Sequence, residues 1–328
     1  MTQESQVTPY QSRFISHVLS VTLYQSRLFG KALASAALCA ALSASAAEFV
    51  FGALGDTPYY EQEEERFPGL IEKMNRAELA FVVHVGDFKS SSVACTDELY
   101  LERRGWFDQS RHPFIYVPGD NEWADCRRPF RAGRDPFERL DKLRELFFAE
   151  DTSLGQRRLK LVRQARLAGG QRYPEHLRWE HEGVLFLTIN APGSNNYPEA
   201  GAEFVVRSAA VQQWLTESFA IARASELRGL VLFMQGNPWI STGEPHGGFV
   251  AFLEILTAEV RQFSGQVLLV NGETHRYRVD RPLRDPATGA PFDNFTRVVV
   301  FGTPWMNWVR VKVLEDAGRI RWEVTPGS

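Results

Sequence analysis

Three short apolar runs between residues 49 and 120 each end in a Gly-Asp pair and then turn polar. Continuous apolar runs of this length, bounded by glycine or proline, are typical of buried strands. Helical sequence fills the intervals between the runs, so the pattern predicts a βαβαβ unit with parallel strands. Because strand C-termini form the ligand-binding edge of an open α/β sheet, we expect the three aspartates to converge. The pairs are Gly55-Asp56, Gly86-Asp87 and Gly119-Asp120.

Converging carboxylates require a compensating charge. Three acids brought together repel one another and raise each other's pKa unless a cation lies among them. The sequence therefore predicts a metal site at this edge. The alternative is that these side chains only cap helices and fix turns, as Asp and Asn often do.

The rest of the chain continues the alternation of apolar runs and amphipathic helices, without a linker or an internal repeat. This pattern predicts an α/β fold in one domain that spans residues 47–328. The later predicted elements are a helix over Asp135–Ala149, a hairpin over Trp179–Glu182 and Val184–Asn190, a helix over Val211–Ser225, a strand over Leu230–Met234, a helix over Phe249–Phe263, a strand over Gln266–Val270 and antiparallel tail strands over Arg297–Phe301, Trp308–Leu314 and Arg319–Val324.

The N-terminus has the pattern of a secretory signal peptide. Basic residues precede an apolar run from Ala32 to Ala44, and the following Ser45-Ala46-Ala47 completes an Ala-x-Ala cleavage site. We therefore predict that residues 1–46 are an N-terminal extension and signal peptide, and that the protein is exported to the periplasm or secreted. The run is too short for a permanent membrane anchor. A buried or interfacial N-terminal helix is the alternative.

Charge and cysteine content narrow the class of protein further. The net charge is −3 and the basic residues are scattered, which argues against a nucleic-acid partner. Removal of the signal leaves Cys95 and Cys126, and an even number of cysteines in an exported chain predicts a disulfide. Both cysteines follow a Gly-Asp turn, so a bridge would join two carboxylate-bearing loops. Two free buried thiols are the alternative.

Polar side chains follow five predicted strands, in an order that resembles the calcineurin-like metallophosphoesterase superfamily. The blocks of that family are roughly Asp-x-His, Gly-Asp, Gly-Asn-His-Asp/Glu, a His after a strand, and Gly-His-x-His. The resemblance implies a four-layer αββα sandwich. It also implies two divalent metal ions that clamp the attacking and leaving oxygens of an in-line displacement. The matching positions are Asp56, Asp87, Asp120-Asn121, Asn237 and Glu273/His275.

The resemblance also implies roles for single residues. Asp87 would bridge the metals and be essential to catalysis, and Asn121 would orient the substrate as a hydrogen-bond donor. Gln235 is the alternative to Asn237 as the fourth-block ligand. The implied metal ligands are Asp56, Asp87, Asp120, Asn237, Glu273 and His275.

The ligand set departs from the family pattern where the family has histidines. Pro58 replaces the His of Asp-x-His, Asn121 replaces the His of the third block, and Glu273 replaces the first His of the last block. Exchange of imidazole for oxygen donors favours hard cations. We therefore expect one or two ions of Mn²⁺ or Mg²⁺, with Ca²⁺ as a third option.

Four further side chains lie beside the motifs and are predicted to bind substrate. Lys89, Arg127 and Arg276 carry the charge that a phosphate needs, and His246 lies in a glycine-rich loop after the fourth block. The leading hypothesis is an exported, metal-dependent phosphoesterase that hydrolyses a small phosphomonoester or phosphodiester. A catalytically inactive binding or scaffold protein of the same fold is the alternative. Hydrolysis of another bond at a single-metal site is a third. The oligomeric state stays open.

Overall fold

The computed structural model describes residues 48–127, 133–164, 173–239 and 243–327. The predicted signal segment, residues 1–46, lies outside these ranges, so export stays a prediction. No helix in the described ranges has the length and apolar character needed to cross a membrane. The α-helices described are α1 (Glu61–Arg76), α2 (Asp97–Asp108), α3 (Pro136–Phe147), α4 (Ala202–Ala224) and α5 (Val250–Gln262).

The strands of the described ranges form two mixed sheets, and each sheet contains a run of neighbouring parallel strands. The strands are β1 (Phe49–Leu54), β2 (Val82–His84), β3 (Phe114–Tyr116), β4 (Val162–Arg163), β5 (Leu177–His181), β6 (Val184–Thr188), β7 (Gly229–Met234), β8 (Gln266–Asn271), β9 (Arg278–Asp280), β10 (Phe295–Val299), β11 (Val309–Asp316) and β12 (Arg319–Pro326). The first sheet has the order β12-β11-β1-β2-β3, and the second β4-β5-β6-β7-β8-β10-β9. The predicted βαβαβ unit is confirmed, because β1, β2 and β3 pair in parallel and α1 and α2 connect them.

One predicted strand direction is wrong. The tail strand near residue 297 was expected to be antiparallel, but β10 pairs in parallel with β8 and antiparallel only with the short β9. Side chains alternate between the two faces of a sheet in either direction. The sequence pattern therefore carries no information about direction. The other two tail strands, β11 and β12, are antiparallel as predicted.

Aromatic rings pack the two sheets against each other. Phe51 and Phe81 of the first sheet contact Phe186 of the second, with ring centroids 5.6 and 4.9 Å apart, and Trp179 lies 5.3 Å from Phe81. Offset and edge-to-face contacts of this kind add to the energy of simple burial. They hold the two sheets face to face, so that loops from both sheets can contribute to one site.

The central strands of the second sheet are largely apolar because both of their faces are buried. In β7, Val231 and Phe233 belong to the core shared with the first sheet. Leu230 and Leu232 alternate with them and pack with Trp214 of α4 on the opposite face. Helices therefore cover the outer face of this sheet. A parallel sheet covered on both sides reads as a continuous apolar run in the sequence.

Candidate metal centre

The carboxyl ends of five parallel strands, taken from both sheets, bring most of the predicted ligands together. Asp56 follows β1, Asp87 follows β2, and Gln235 follows β7. The remaining members are Asp120 and Asn121 after β3, and Glu273 and His275 after β8. The strand-end rule used on the sequence thus locates this cluster.

The Gly-Asp motifs bring two of these loops into backbone contact. A Cβ on Gly86, whose φ is +94°, would lie 2.7 Å from the backbone N of Gly119. A Cβ on Gly119 would lie 2.6 Å from the backbone N of Asp87. Only glycine permits so close an approach. The glycine before each aspartate therefore lets the carboxylates of the two loops share one site.

Several of the clustered residues have a left-handed backbone. The φ angles are 51° at Asp56, 57° at Asp87, 76° at Glu273 and 58° at His275. This conformation is uncommon for residues other than Gly, Asn and Asp, and such strain concentrates at functional sites. A turn that needed only this backbone would favour Gly or Asn. The presence of Glu and His here argues against a role limited to fixing turns.

Asp87 lies at the centre of the hydrogen-bond network. Its Oδ2 accepts from the Tyr59 hydroxyl at 2.9 Å, from Asn121 Nδ2 at 2.9 Å and from Gln235 Nε2 at 3.2 Å. Its Oδ1 accepts from the Asn121 backbone N–H at 3.1 Å. These donors fix the orientation of the carboxylate, as the outer partners of metal-ligating groups commonly do.

Asp87, Asp120 and Glu273 form a group with the geometry of a cation site. One ligand atom from each lies within 4.8 Å of the others. Glu273 Oε2 accepts from Gln235 Nε2 at 2.8 Å. Asp120 Oδ1 is buried and has no hydrogen-bond partner within the described part of the chain. Because a buried anionic oxygen without a partner is costly, this atom is the best evidence that the group fits a metal ion.

Asp56 and His275 lie beside this group. Both carboxylate oxygens of Asp56 accept from the Glu273 backbone N–H, at 3.0 and 3.1 Å. His275 Nδ1 lies 3.1 Å from the Thr303 carbonyl oxygen, so Nδ1 carries the proton and donates to it. In the neutral ring Nε2 then presents a lone pair, 3.7 Å from Asp56 Oδ1. Burial lowers the pKa of His275, which favours that neutral form.

The electrostatics of the cluster are unfavourable without a cation. Burial raises the pKa of Asp56, Asp87, Asp120 and Glu273 above the ordinary carboxyl range. Repulsion by neighbouring acids raises it further, with Glu273 acting on Asp56 and Asp120. A divalent ion would reverse both effects by favouring the ionised form. The donor set, mostly carboxylate oxygen with one imidazole, suits such an ion.

Two residues of the site were not assigned roles from the sequence. The Tyr59 hydroxyl accepts from Asn121 Nδ2 at 2.9 Å and lies 3.3 Å from His275 Nε2, in addition to its bond to Asp87. The Glu122 carboxylate accepts from the backbone N–H of Phe88 and, at 2.9 Å, from that of Gly119. Glu122 thus ties the two Gly-Asp loops together. The sequence did carry one signal for Glu122, because it lies at the Asp/Glu position of the third family block.

Gln235, and not Asn237, faces the carboxylates. Asn237 Oδ1 accepts from Arg297 Nη1 at 2.9 Å, and its Nδ2 donates to the Trp239 carbonyl at 2.7 Å. A ligand role for Asn237 disagrees with this geometry, because both ends of its amide are engaged elsewhere. The direction of the chain beyond β7 decides between the two residues, and the sequence does not reveal that direction.

The predicted substrate-binding residues are dispersed. Lys89 is buried, donates to the Ser90 carbonyl at 3.1 Å and interacts electrostatically with Glu122. The Arg127 guanidinium lies 4.8 Å above the ring of Tyr197. The structure shows no contact of His246 with the carboxylates within the described ranges; its backbone N–H donates to the Pro238 carbonyl. Arg276 lines a cavity near the cluster.

The predicted disulfide is present. Cys95 and Cys126 are bonded, with their Cα atoms 5.9 Å apart and a sequence separation of 31. Cys95 lies in the loop after Asp87, and Cys126 in the short 3₁₀ helix Ala124–Arg127 after Asp120. The bridge therefore joins two of the loops that carry carboxylates. Its presence fits an exported protein.

Comparison with solved structures identifies the fold. No family model and no curated protein matches the sequence. The structure of PhoD superposes with a TM-score of 0.51 at 11% identity, over 85% of this chain and 68% of that chain. The fold is metallophosphoesterase-like. At so low an identity the likeness shows the fold and not the chemistry.

Other solved structures match with lower scores. Vacuolar Protein Sorting 29 from Cryptosporidium parvum has a TM-score of 0.34 at 11% identity, with 86% of this chain and 98% of that chain covered. Vps29 complexed with Zn²⁺ from Entamoeba histolytica has a TM-score of 0.26 at 10% identity, with 85% and 100% covered. Neither score is high enough to support an argument about this chain.

Proposed function

We propose that this chain is an exported, metal-dependent phosphoesterase with a four-layer αββα fold, and that it hydrolyses a small phosphomonoester or phosphodiester. The group formed by Asp87, Asp120 and Glu273, with the unpartnered Oδ1 of Asp120, is the observation that carries the proposal. The packed sheets, with helices on their outer faces, support the four-layer arrangement. The PhoD likeness supports the fold class.

The residues that would hold the metal are Asp56, Asp87, Asp120, Glu273 and His275. Their donor atoms are mostly oxygen, which favours Mn²⁺ or Mg²⁺ over Zn²⁺. A bound divalent ion would supply polarisation of a phosphoryl oxygen and would lower the pKa of a bound water. Asp87, which the donors described above hold in place, would be the central ligand.

The protein's own groups would orient the substrate and its leaving group. Asn121 Nδ2 donates its two N–H groups to Tyr59 and Asp87 at the centre of the site, and in our proposal one of them turns to a substrate oxygen when substrate binds. Asn121 has no titratable proton, so it does not protonate the departing oxygen as an imidazolium would. The enzyme should therefore prefer esters with good leaving groups, such as aryl phosphates.

The test is metal content combined with turnover. The purified full-length protein is loaded with Mn²⁺, its metal content is measured by mass spectrometry, and hydrolysis of bis(p-nitrophenyl) phosphate is followed. We expect one to two equivalents of metal and turnover that Asp87→Asn abolishes. Asp293→Asn is the matched control, because it removes the same charge from an exposed position. Metal binding without Asp87-dependent turnover would establish the binding-protein alternative instead.

Export needs its own experiment. Expression of the full chain with its N-terminus intact, followed by periplasmic fractionation and N-terminal sequencing, should give a protein that begins at Ala47. An uncleaved protein retained in the cytoplasm would overturn this part of the proposal and leave the catalytic part standing.

A further inference from the structure

A cationic cavity opens next to the candidate metal centre. Its volume is about 370 Å³. None of its residues belongs to the carboxylate cluster, although the same loops supply both. It is lined mainly by Asn237, Trp239, Thr274, Arg276, Arg278 and Arg297.

The loops after β7 and β8 divide their side chains between the two sites. After β7, Gln235 contacts Asp87 and Glu273, whereas Asn237 lines the cavity. After β8, Glu273 and His275 lie at Asp56, whereas Thr274 and Arg276 line the cavity. The cavity and the metal centre are therefore neighbours along two separate stretches of backbone.

Arg297 forms a fixed wall of the cavity. Its side chain is 4% exposed, and its Nε and Nη2 donate to the Asp280 carboxylate at 2.8 and 2.6 Å. Its Nη1 donates to Asn237, and the guanidinium lies 4.9 Å from the ring centroid of Trp239. Because each of its three guanidinium nitrogens donates a hydrogen bond, Arg297 is held in place and shapes the cavity. Asp280 offsets its charge.

Arg276 and Arg278 supply the charge that remains available to a ligand. Arg278 is 61% exposed and shares Asp280 with Arg297, at 3.7 Å. Arg276 is exposed and forms no ion pair within the described residues. Three arginines thus line the cavity, and two of them, Arg278 and Arg297, pair with the same carboxylate, that of Asp280. A guanidinium with free donors binds phosphate or carboxylate oxygens, often through two parallel hydrogen bonds.

We infer that this cavity binds a second anionic group, a phosphate or carboxylate carried by the same substrate whose phosphoester lies at the metal centre. The inference rests on the proposed function for the first phosphate. It extends that function by defining the preferred substrate class as phosphoesters with a second oxyanion. Arg276 is the specificity-determining residue of this subsite.

The experiment compares two substrates that differ in one anionic group. Values of kcat/KM are measured with Mn²⁺ for 4-carboxyphenyl phosphate and for phenyl phosphate, in the wild type, Arg276→Ala and Arg276→Lys. The control is Arg281→Ala, because Arg281 carries the same charge just beyond β9 but lines a different cavity. Differences in leaving-group reactivity cancel when each variant is compared with the wild type on the same substrate.

We expect Arg276→Ala to lower kcat/KM for the carboxylated substrate roughly ten-fold, the lower end of the range for a charge-assisted hydrogen bond. The value for phenyl phosphate should change less than about two-fold, on the same scale. Arg276→Lys should recover part of the loss, and Arg281→Ala should leave both values unchanged. An equal loss for both substrates would overturn the inference, because Arg276 would then serve the scissile phosphate.

A binding measurement separates failure of this subsite from failure of the proposed function. Inorganic phosphate is titrated calorimetrically into the metal-free wild type, Arg276→Ala and Arg281→Ala, so that phosphate binding at this cavity is distinguished from binding at other arginine-lined cavities. Binding that Arg276→Ala removes and Arg281→Ala retains supports the subsite even if no ester is hydrolysed. If phosphate binds the two variants equally, or does not bind the wild type, the subsite is refuted while the phosphoesterase proposal stands. Stimulation of phenyl phosphate hydrolysis by free phosphate would identify an effector site instead.

Discussion

Replacement of Asp120 by Asn should stabilise the metal-free protein and weaken its response to metal. The carboxylate is surrounded by acids: Glu273, Asp125 and Glu122 all raise its pKa, in addition to burial, and its Oδ1 has no hydrogen-bond partner in the described chain. Asn has nearly the same size and removes the charge. The substitution therefore tests the effect of repulsion among the acids without changing the packing of the loop.

The magnitude follows from the link between pKa and stability. Each unit by which folding raises the pKa of a carboxyl corresponds to about 1.4 kcal/mol at neutral pH. We expect Asp120→Asn to stabilise the metal-free fold by about 1–2 kcal/mol, or roughly 3–6 °C in melting temperature. In the wild type, metal at one hundred times its Kd should raise the free energy of unfolding by about 2.7 kcal/mol. In Asp120→Asn the same metal concentration should raise it by much less.

The pH dependence has a defined sign. Because the folded carboxyls bind protons more tightly than the unfolded ones, their contribution to stability is fully present below pH ~4 and is lost as pH rises through the folded pKa. On mild acidification these carboxyls should therefore make a stabilising contribution in the metal-free wild type, and a smaller one in Asp120→Asn. Differential scanning calorimetry with EDTA or Mn²⁺ measures each quantity, with Asp293→Asn as the exposed control. Equal Mn²⁺-induced shifts in wild type and Asp120→Asn would refute the assignment of Asp120 as a ligand.

Two further predictions concern stability away from the ligands. Loss of the Cys95–Cys126 bridge by double substitution to Ser should destabilise the protein by about 3–4 kcal/mol in urea unfolding, as expected for a loop of 31 residues; an unchanged midpoint would contradict this. Burial lowers the pKa of His176 from 6.5 to about 4, so the unfolded chain gains a proton first as pH falls. As pH falls from 6.5 to about 4, the free energy of unfolding should decrease by roughly 3 kcal/mol more in the wild type than in His176→Gln. An equal pH dependence of the two free energies would contradict the burial argument.

The sequence predicted the parallel core of the fold because burial of both strand faces leaves a readable pattern. The runs at β1, β2, β3, β7 and β8 are mostly apolar, and the structure places each of them in a sheet. The direction of β10 was not predictable in this way. Whether a strand is parallel or antiparallel depends on the neighbouring strand with which it pairs, and that pairing is determined by the packing of the whole sheet.

The sequence also located most of the cluster but not its geometry. Asp56, Asp87 and Asp120 were found by the rule that ligands follow the C-termini of parallel strands. The structure places all three at strand ends. Their roles as metal ligands stay predictions. Tyr59 lies in the site three residues after a backbone turn at Asp56, where φ is 51°. Such a turn is set by tertiary contacts. Asn237 was expected among the ligands and is bonded to Arg297 instead.

Two acids of one loop differ in how the protein compensates their charge, and this difference shows where a cation could bind. Burial raises the pKa of Glu122, but Lys89 and the backbone N–H groups of Phe88 and Gly119 oppose that rise, so Glu122 is compensated within the protein. Asp120 lies two residues earlier, and its strongest electrostatic neighbours are all acidic. A purely structural loop would gain stability by losing the Asp120 carboxylate. Its presence beside an already compensated glutamate is explained by a ligand that binds to it.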